Sequence, residues 1–144
     1  FTYETFQKSL FALHALSIKV IVHLILGLPH ETREMMSASV QAIANLPVWG
    51  IKLQLLHVLS GTDLAAYYEK THFPVFSMDE YCEMIIDCLE LLPPEMVIHR
   101  ITGDGPKDLL IAPMWSTGKR TVLNQIHRRL KERNTYQGRL ATKR

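Results

Sequence analysis

The chain has 144 residues, 47% of them hydrophobic and 21% charged, with two cysteines. That composition excludes disorder, a disulfide scaffold, and a four-thiolate zinc or iron–sulfur site held by this chain alone. The formal net charge of +2 conceals an asymmetry: residues 1–116 sum to −6 and residues 117–144 to +8, with Glu132 the only acid in the second segment.

Tyr3, Phe6, Leu10 and Leu13 recur at helical spacing, which predicts a helix from about 2 to 16. Lys19 to Leu26 is β-branched and nearly all apolar, as expected of a strand buried on both faces. Gly27-Leu28-Pro29 breaks it. A helix over about 32–46 follows, with Met36, Val40 and Ile43 on one face. Ile51 to Leu59 reads as a second strand, ended by Ser60-Gly61-Thr62, and a short helix covers about 63–70. Ser77 and Glu80 have capping-box spacing and open a helix with the apolar stripe Met78, Tyr81, Cys82, Ile85, Leu89 and Leu92. Asp79, Glu83, Asp87 and Glu90 are expected to face water, and Pro93-Pro94 ends the helix. Met96 to Thr102 predicts a third strand, Leu109 to Trp115 an edge segment carrying Pro113, and residues from about 118 to 133 a basic final helix.

Strands alternating with helices predict an α/β fold with a mainly parallel sheet and right-handed crossovers. Three or four strands are too few for a closed eight-fold barrel, which needs about 250 residues. A partial (β/α) barrel, or one flank of an open sheet, with a basic carboxyl-terminal helix, is the expected architecture. Residues 1–116 are assigned to the barrel part and residues 117–144 to the basic helix and tail. The chain opens on Phe1 inside an amphipathic pattern, as a piece of a longer protein would. No apolar run is long enough to cross a bilayer and no signal-peptide pattern is present, so a cytoplasmic protein with no membrane partner is expected.

Three segments could carry chemistry. In His23–Thr32, Gly27 ends a predicted parallel strand, where ligands of such sheets bind and where a missing side chain admits a flat ring. Glu31 could accept from a ribose hydroxyl or a backbone donor; a plain strand-to-helix turn is the alternative. In Gly50–Thr62, a regular strand would put Lys52, Gln54, Leu56 and Val58 on one face and Leu53, Leu55, His57 and Leu59 on the other. His57 then either points into a site or is a satisfied core histidine. In Val97–Lys107, two glycines beside a lysine could hold an anion through backbone amides or form a polar turn. His99 and Arg100 are expected to face opposite ways. Cys82 and Cys88 lie about 240° apart around their helix and are expected to be inert thiols. No metal site is expected from these residues.

HLILGLPHET (23–32), VWGIKLQLLHVLSGTD (48–63) and LLPPEMVIHRITGDGPKDLLIAPMW (91–115), taken in order, resemble the carboxyl-terminal half of a radical S-adenosylmethionine (SAM) protein. The subgroup named YhcC, similar to the Elongator catalytic subunit, is the nearest. The resemblance implies SAM and a [4Fe–4S] cluster in the full-length protein, with reductive cleavage of SAM to a 5′-deoxyadenosyl radical. It implies an adenine contact by Ile25 and Gly27 and a polar contact or loop support from Glu31, matching three positions of the family's G-x-I-x-G-x-x-x-E pattern. His23 replaces the first glycine, and His30 stands where the subgroup has glycine. Gln54 and His57 are assigned to the substrate side. The family's cysteine triad is absent, so the fragment itself is expected to be inactive and to bind neither cofactor. The resemblance and the basic 117–144 tail suggest tRNA and its modification, or another polyanion as partner; a non-catalytic module binding protein or nucleic acid through the basic helix is the alternative. The exposed edge of the first strand is expected to drive self-association.

Overall fold

The computed structural model describes residues 1–142. Side-chain caps set where four of its helices begin. Thr2 opens α1 (Tyr3–Ala15), Thr32 opens α2 (Arg33–Ala44), Thr62 opens α3 (Asp63–Thr71) and Ser77 opens α4 (Met78–Leu91). Each cap oxygen accepts a backbone N–H that the first turn leaves without an intrahelical partner. At α4 the Glu80 carboxylate also reaches back to the Ser77 N–H, completing the capping box. The last helix, α5 (Lys119–Glu132), follows a short 3-10 turn, Met114–Thr117.

Three strands, β1 (Ile21–Leu26), β2 (Gly50–Leu55) and β4 (Val97–Arg100), form a parallel sheet in the order β1-β2-β4. Helices α2 and α4 connect through crossovers and cover one face; among the described residues there is no closed barrel. Val22, Leu24 and Leu26, with Ile51, Leu53 and Leu55, pack into this core. The opposite face is open. The expectation that Lys19–Leu26 is buried on both sides is therefore corrected: Ile21 and Ile25 are exposed, because no layer covers their face.

The predicted strand Ile51–Leu59 is also corrected. It leaves the sheet after Leu55, and Val58–Leu59 (β3) pairs antiparallel with Leu110–Ala112 (β5). The predicted face alternation holds only to Leu55. With α3, β3 and β5 build a small lobe around Val58, Ala65, Phe73 and Ala112. The predicted edge segment is thus half of this ladder, and the third strand is shorter than Met96–Thr102.

The α4 acids do not all face water. Arg129 of α5 donates to Glu83 at 2.8 Å and to Asp79, and Arg133 donates to Glu83 at 2.7 Å. Arg33 of α2 binds Asp87. Glu90 is 3% exposed and bound by Arg139. The basic helix and the acidic helix thus neutralise one another, with Val122 and Ile126 of α5 buried beneath the ion pairs. The tail is docked as well: Gln137 Nε2 donates to the Pro93 and Met96 carbonyls, both at 2.8 Å, and the Leu140 N–H to the Glu90 carbonyl at 2.8 Å. Lys143 and Arg144 of the basic tail lie outside the described residues. No helix among the described residues is long and apolar enough to cross a membrane.

Candidate functional site

The carboxyl ends of β1, β2 and β4 converge on one rim. At the end of β1 the chain turns at Gly27, whose φ of 86° lies in the left-handed region that glycine enters without a steric penalty. Glu31 holds this turn: one carboxylate oxygen, Oε2, accepts the Gly27 and Leu28 N–H groups, each at 3.1 Å. The loop-support role is thus present in the geometry. A Cβ at Gly27 would fall 2.9 Å from Cδ2 and Cε2 of Phe76. The flat ring that uses the missing side chain is therefore this chain's own Phe76, and a ligand ring must approach Gly27 from elsewhere.

His30 adopts a φ of 65°, which costs a non-glycine residue about 1–2 kcal/mol. Its Nε2 lies 2.8 Å from the Tyr67 hydroxyl, so the turn is tied to α3 of the small lobe. A cavity of about 460 Å³ lies between this turn and Pro74–Phe76, bounded also by Arg33, Met36 and Glu80.

Ile25 and Gln54 are neighbours across β1 and β2. Both stand on the open face, since the alternate residues Leu26, Leu53 and Leu55 face the helices. The sheet therefore brings Ile25, Gln54 and the Gly27–Glu31 turn together. His57 stands apart, in the connection from β2 to β3.

The His57 ring is enclosed by the turn after β4. A Cβ at Gly105 would lie 2.7 Å from Nδ1, and one at Gly103 would overlap Cε1 and Nε2. Neither glycine has the left-handed φ that would itself demand glycine. Their side chains are missing because the imidazole occupies the space, not because an anion does. The Nε2 atom is buried and has no hydrogen-bond partner among the described residues. Burial lowers the His57 pKa; Asp104 opposes that shift and Lys119 reinforces it. Asp104 in turn accepts from Lys119 of α5, which holds its carboxyl below the usual carboxylate range. The turn is thus pinned to α5 on one side and to β2–β3 on the other.

Sequence reasoning missed Phe76 and the Asp104–Lys119 pair. The aromatic-rich loop Phe73-Pro74-Val75-Phe76 was the available signal for the first. Fifteen residues and an intervening strand separate the members of the second.

The sequence from 48 to 132 matches the model of the Radical_SAM C-terminal domain. The chain belongs to this radical SAM family. It is 50% identical over 121 residues to YtqA of Bacillus subtilis, covering 84% of this chain and 38% of that protein. It is 30% identical over 115 residues to YhcC of Escherichia coli K12, covering 80% of this chain and 37% of that one. Among solved structures, Methanocaldococcus infernus Elp3 with an N-terminal deletion superposes with a TM-score of 0.79 at 18% identity, over 95% of this chain and 32% of that one. The radical SAM chain described here spans under two fifths of the curated relatives it matches.

The family implies SAM and a [4Fe–4S] cluster in full-length members. Side-chain chemistry separates the two. Cluster ligands are thiolates, but Cys82 and Cys88 are both buried. Burial raises both thiol pKa values, that of Cys88 to about 12. These cysteines do not fit a cluster. Ile25 on the open face and the Gly27 backbone beside it do fit an apolar contact with a flat ring.

Proposed function

We propose that the chain is the carboxyl-terminal part of a radical SAM enzyme whose reaction centre lies over the carboxyl ends of β1, β2 and β4. The supporting observation is the convergence of Ile25, Gly27 and the Glu31-braced turn on the open side of a sheet in a chain of this family. SAM and the cluster, when bound, supply the one-electron chemistry that removes a hydrogen atom from a substrate. Ile25 and the Gly27 backbone bind the flat, apolar part of the cofactor. Glu31 fixes the turn that presents them. Gln54 faces the same side and orients the substrate, while His57 holds the Gly103–Gly105 turn at the rim. The cluster ligands belong to another part of the protein, and the chain alone is inactive.

The test is anaerobic reconstitution with iron and sulfide of this chain and of the longer protein that contains it, followed by assay of SAM cleavage. The longer protein takes up iron and cleaves SAM, and the chain alone does neither. Stoichiometric cluster incorporation by the chain alone contradicts the proposal.

We extend the reading to tRNA as the macromolecular partner. Arg129, Arg133 and Arg139 are engaged by α4, so the contact falls to Arg120, Arg128 and Lys131, which are exposed on α5. Replacing these three with Gln weakens binding of a labelled tRNA and flattens its salt dependence, by roughly 0.7–0.9 in log–log slope per lost phosphate contact. Unchanged anisotropy titrations remove α5 from the interface.

A further inference from the structure

The three parallel strands place one basic residue each at the same level of the sheet. His23 of β1 and Lys52 of β2 are direct neighbours; Arg100 of β4 comes opposite Lys52 only past a register shift that skips His99. Ile51 and Leu53, on either side of Lys52, are fully buried against the helices. Lys52 therefore stands on the open face, half-buried, beside exposed His23. Gln54 follows on the same face, about 6.6 Å further toward the reaction centre.

No acidic residue occurs in β1, β2 or β4. Among the described residues no side-chain hydrogen bond or ion pair engages His23, Lys52 or Gln54, whose backbones pair in the ladder. Arg100 does have a carboxylate, Asp104 at 3.7 Å, which Lys119 also binds. A half-buried ammonium without a counter-charge is unfavourable. Stability alone would favour apolar or hydroxyl side chains in the central strand. The arrangement is that of a receptor for negative charge.

We propose that Lys52, with His23 and Gln54, binds an oxyanion, a carboxylate or a phosphate, carried by the small molecule that occupies the open face. Lys52 supplies the charge, the Gln54 amide donates a directional hydrogen bond, and an imidazole N–H of His23 closes the third side. The inference deepens the proposed function and rests on it, because it puts a negative group of the bound molecule just below Ile25. A compound without such a group is discriminated against, since it leaves Lys52 unpaired.

The experiment titrates the full chain, labelled with 13C and 15N, with inorganic phosphate, with succinate and with SAM in separate arms, following side-chain resonances of residues 23, 52 and 54. Saturable shifts confined to these residues are expected, with affinity lost at least tenfold in Lys52→Met, which keeps the aliphatic stem, and largely restored in Lys52→Arg. Saturation by SAM, scored in the longer protein, but not by the other two identifies the anion as the cofactor's carboxylate. Saturation by phosphate or succinate identifies it as the substrate's. Shifts that spread over all lysines, or that persist in Lys52→Met, overturn the site. So does saturation by the chain but not by the longer protein, because Lys52 then pairs with a carboxylate from elsewhere in that protein. SAM cleavage by the longer protein is scored separately, so failure of the anion site and failure of the enzyme reading are distinguishable.

Discussion

Gly103 and Gly105 show how one ring dictates its neighbours. Both glycines have backbone conformations open to other residues, and both are blocked by His57. Gly103→Ala should destabilise the chain by about 1–3 kcal/mol, the usual range for overpacking. In a His57→Ala background it should be neutral or slightly stabilising, because alanine then only restricts the unfolded chain. Urea unfolding of the four proteins in this double-mutant cycle checks it; additive effects would mean the contact carries no energy. His57 also sets a pH dependence. Burial lowers its pKa from 6.5, so below that value the unfolded chain takes up a proton that the folded chain does not. Its contribution is therefore intact above pH 6.5 and is lost as pH falls from 6.5 through the folded value. His57→Gln should flatten that part of the stability profile, measured as urea midpoints at several pH values. At the β1–α2 turn, Glu31→Ala strands two backbone donors and should cost about 1–3 kcal/mol in the same assay.

The pairing of α4 with α5 governs the element scale. Glu90 is the buried acid of this interface, bound by Arg139 and with Arg133 at 3.9 Å. Arg139→Met leaves that carboxylate short of a partner and should destabilise by roughly 3 kcal/mol, the lower end for a broken buried pair, since Arg133 remains. Adding Glu90→Gln should recover most of the loss in thermal unfolding. The elements themselves were legible in the sequence wherever a local device fixed them. The Ser77–Glu80 capping box, the apolar stripe of α4 and the run before Gly27 are all short-range patterns. Two features escaped for one physical reason, that their cause lies far along the chain. The acidic face of α4 read as solvated because Arg129 and Arg133 come some fifty residues later. Ile51–Leu59 read as one strand because only the distant Leu110–Ala112 draws Val58–Leu59 out of the sheet. At the site, the Gly27 turn and Glu31 were visible as a local motif. The Phe76 ring over Gly27 and the cradle around His57 depend on tertiary contact, which periodicity does not encode.

At the scale of the whole molecule, β1 is an edge strand and the sheet face beyond it is bare. Ile21 and Ile25 of β1 are exposed, as are Phe11, Leu16 and Ile18 before it in the chain. Such a surface favours pairing, so the chain alone should self-associate in a concentration-dependent way. Ile21→Lys should shift light-scattering mass during size exclusion toward the monomer, whereas a monomeric wild type at all concentrations contradicts the expectation. The docked tail has a different consequence, for biosynthesis. Arg139 and the Leu140 N–H reach Glu90 only after about fifty further residues have been made. During translation α4 emerges well before them and waits with Glu90 unpaired, whereas Asp87 can already meet Arg33 of α2. Arg139 and Leu140 close its far end. Ribosomes stalled before Arg139 has emerged should therefore carry a nascent chain whose α4 is open to protease, and ribosomes stalled well past it should carry one whose α4 is protected.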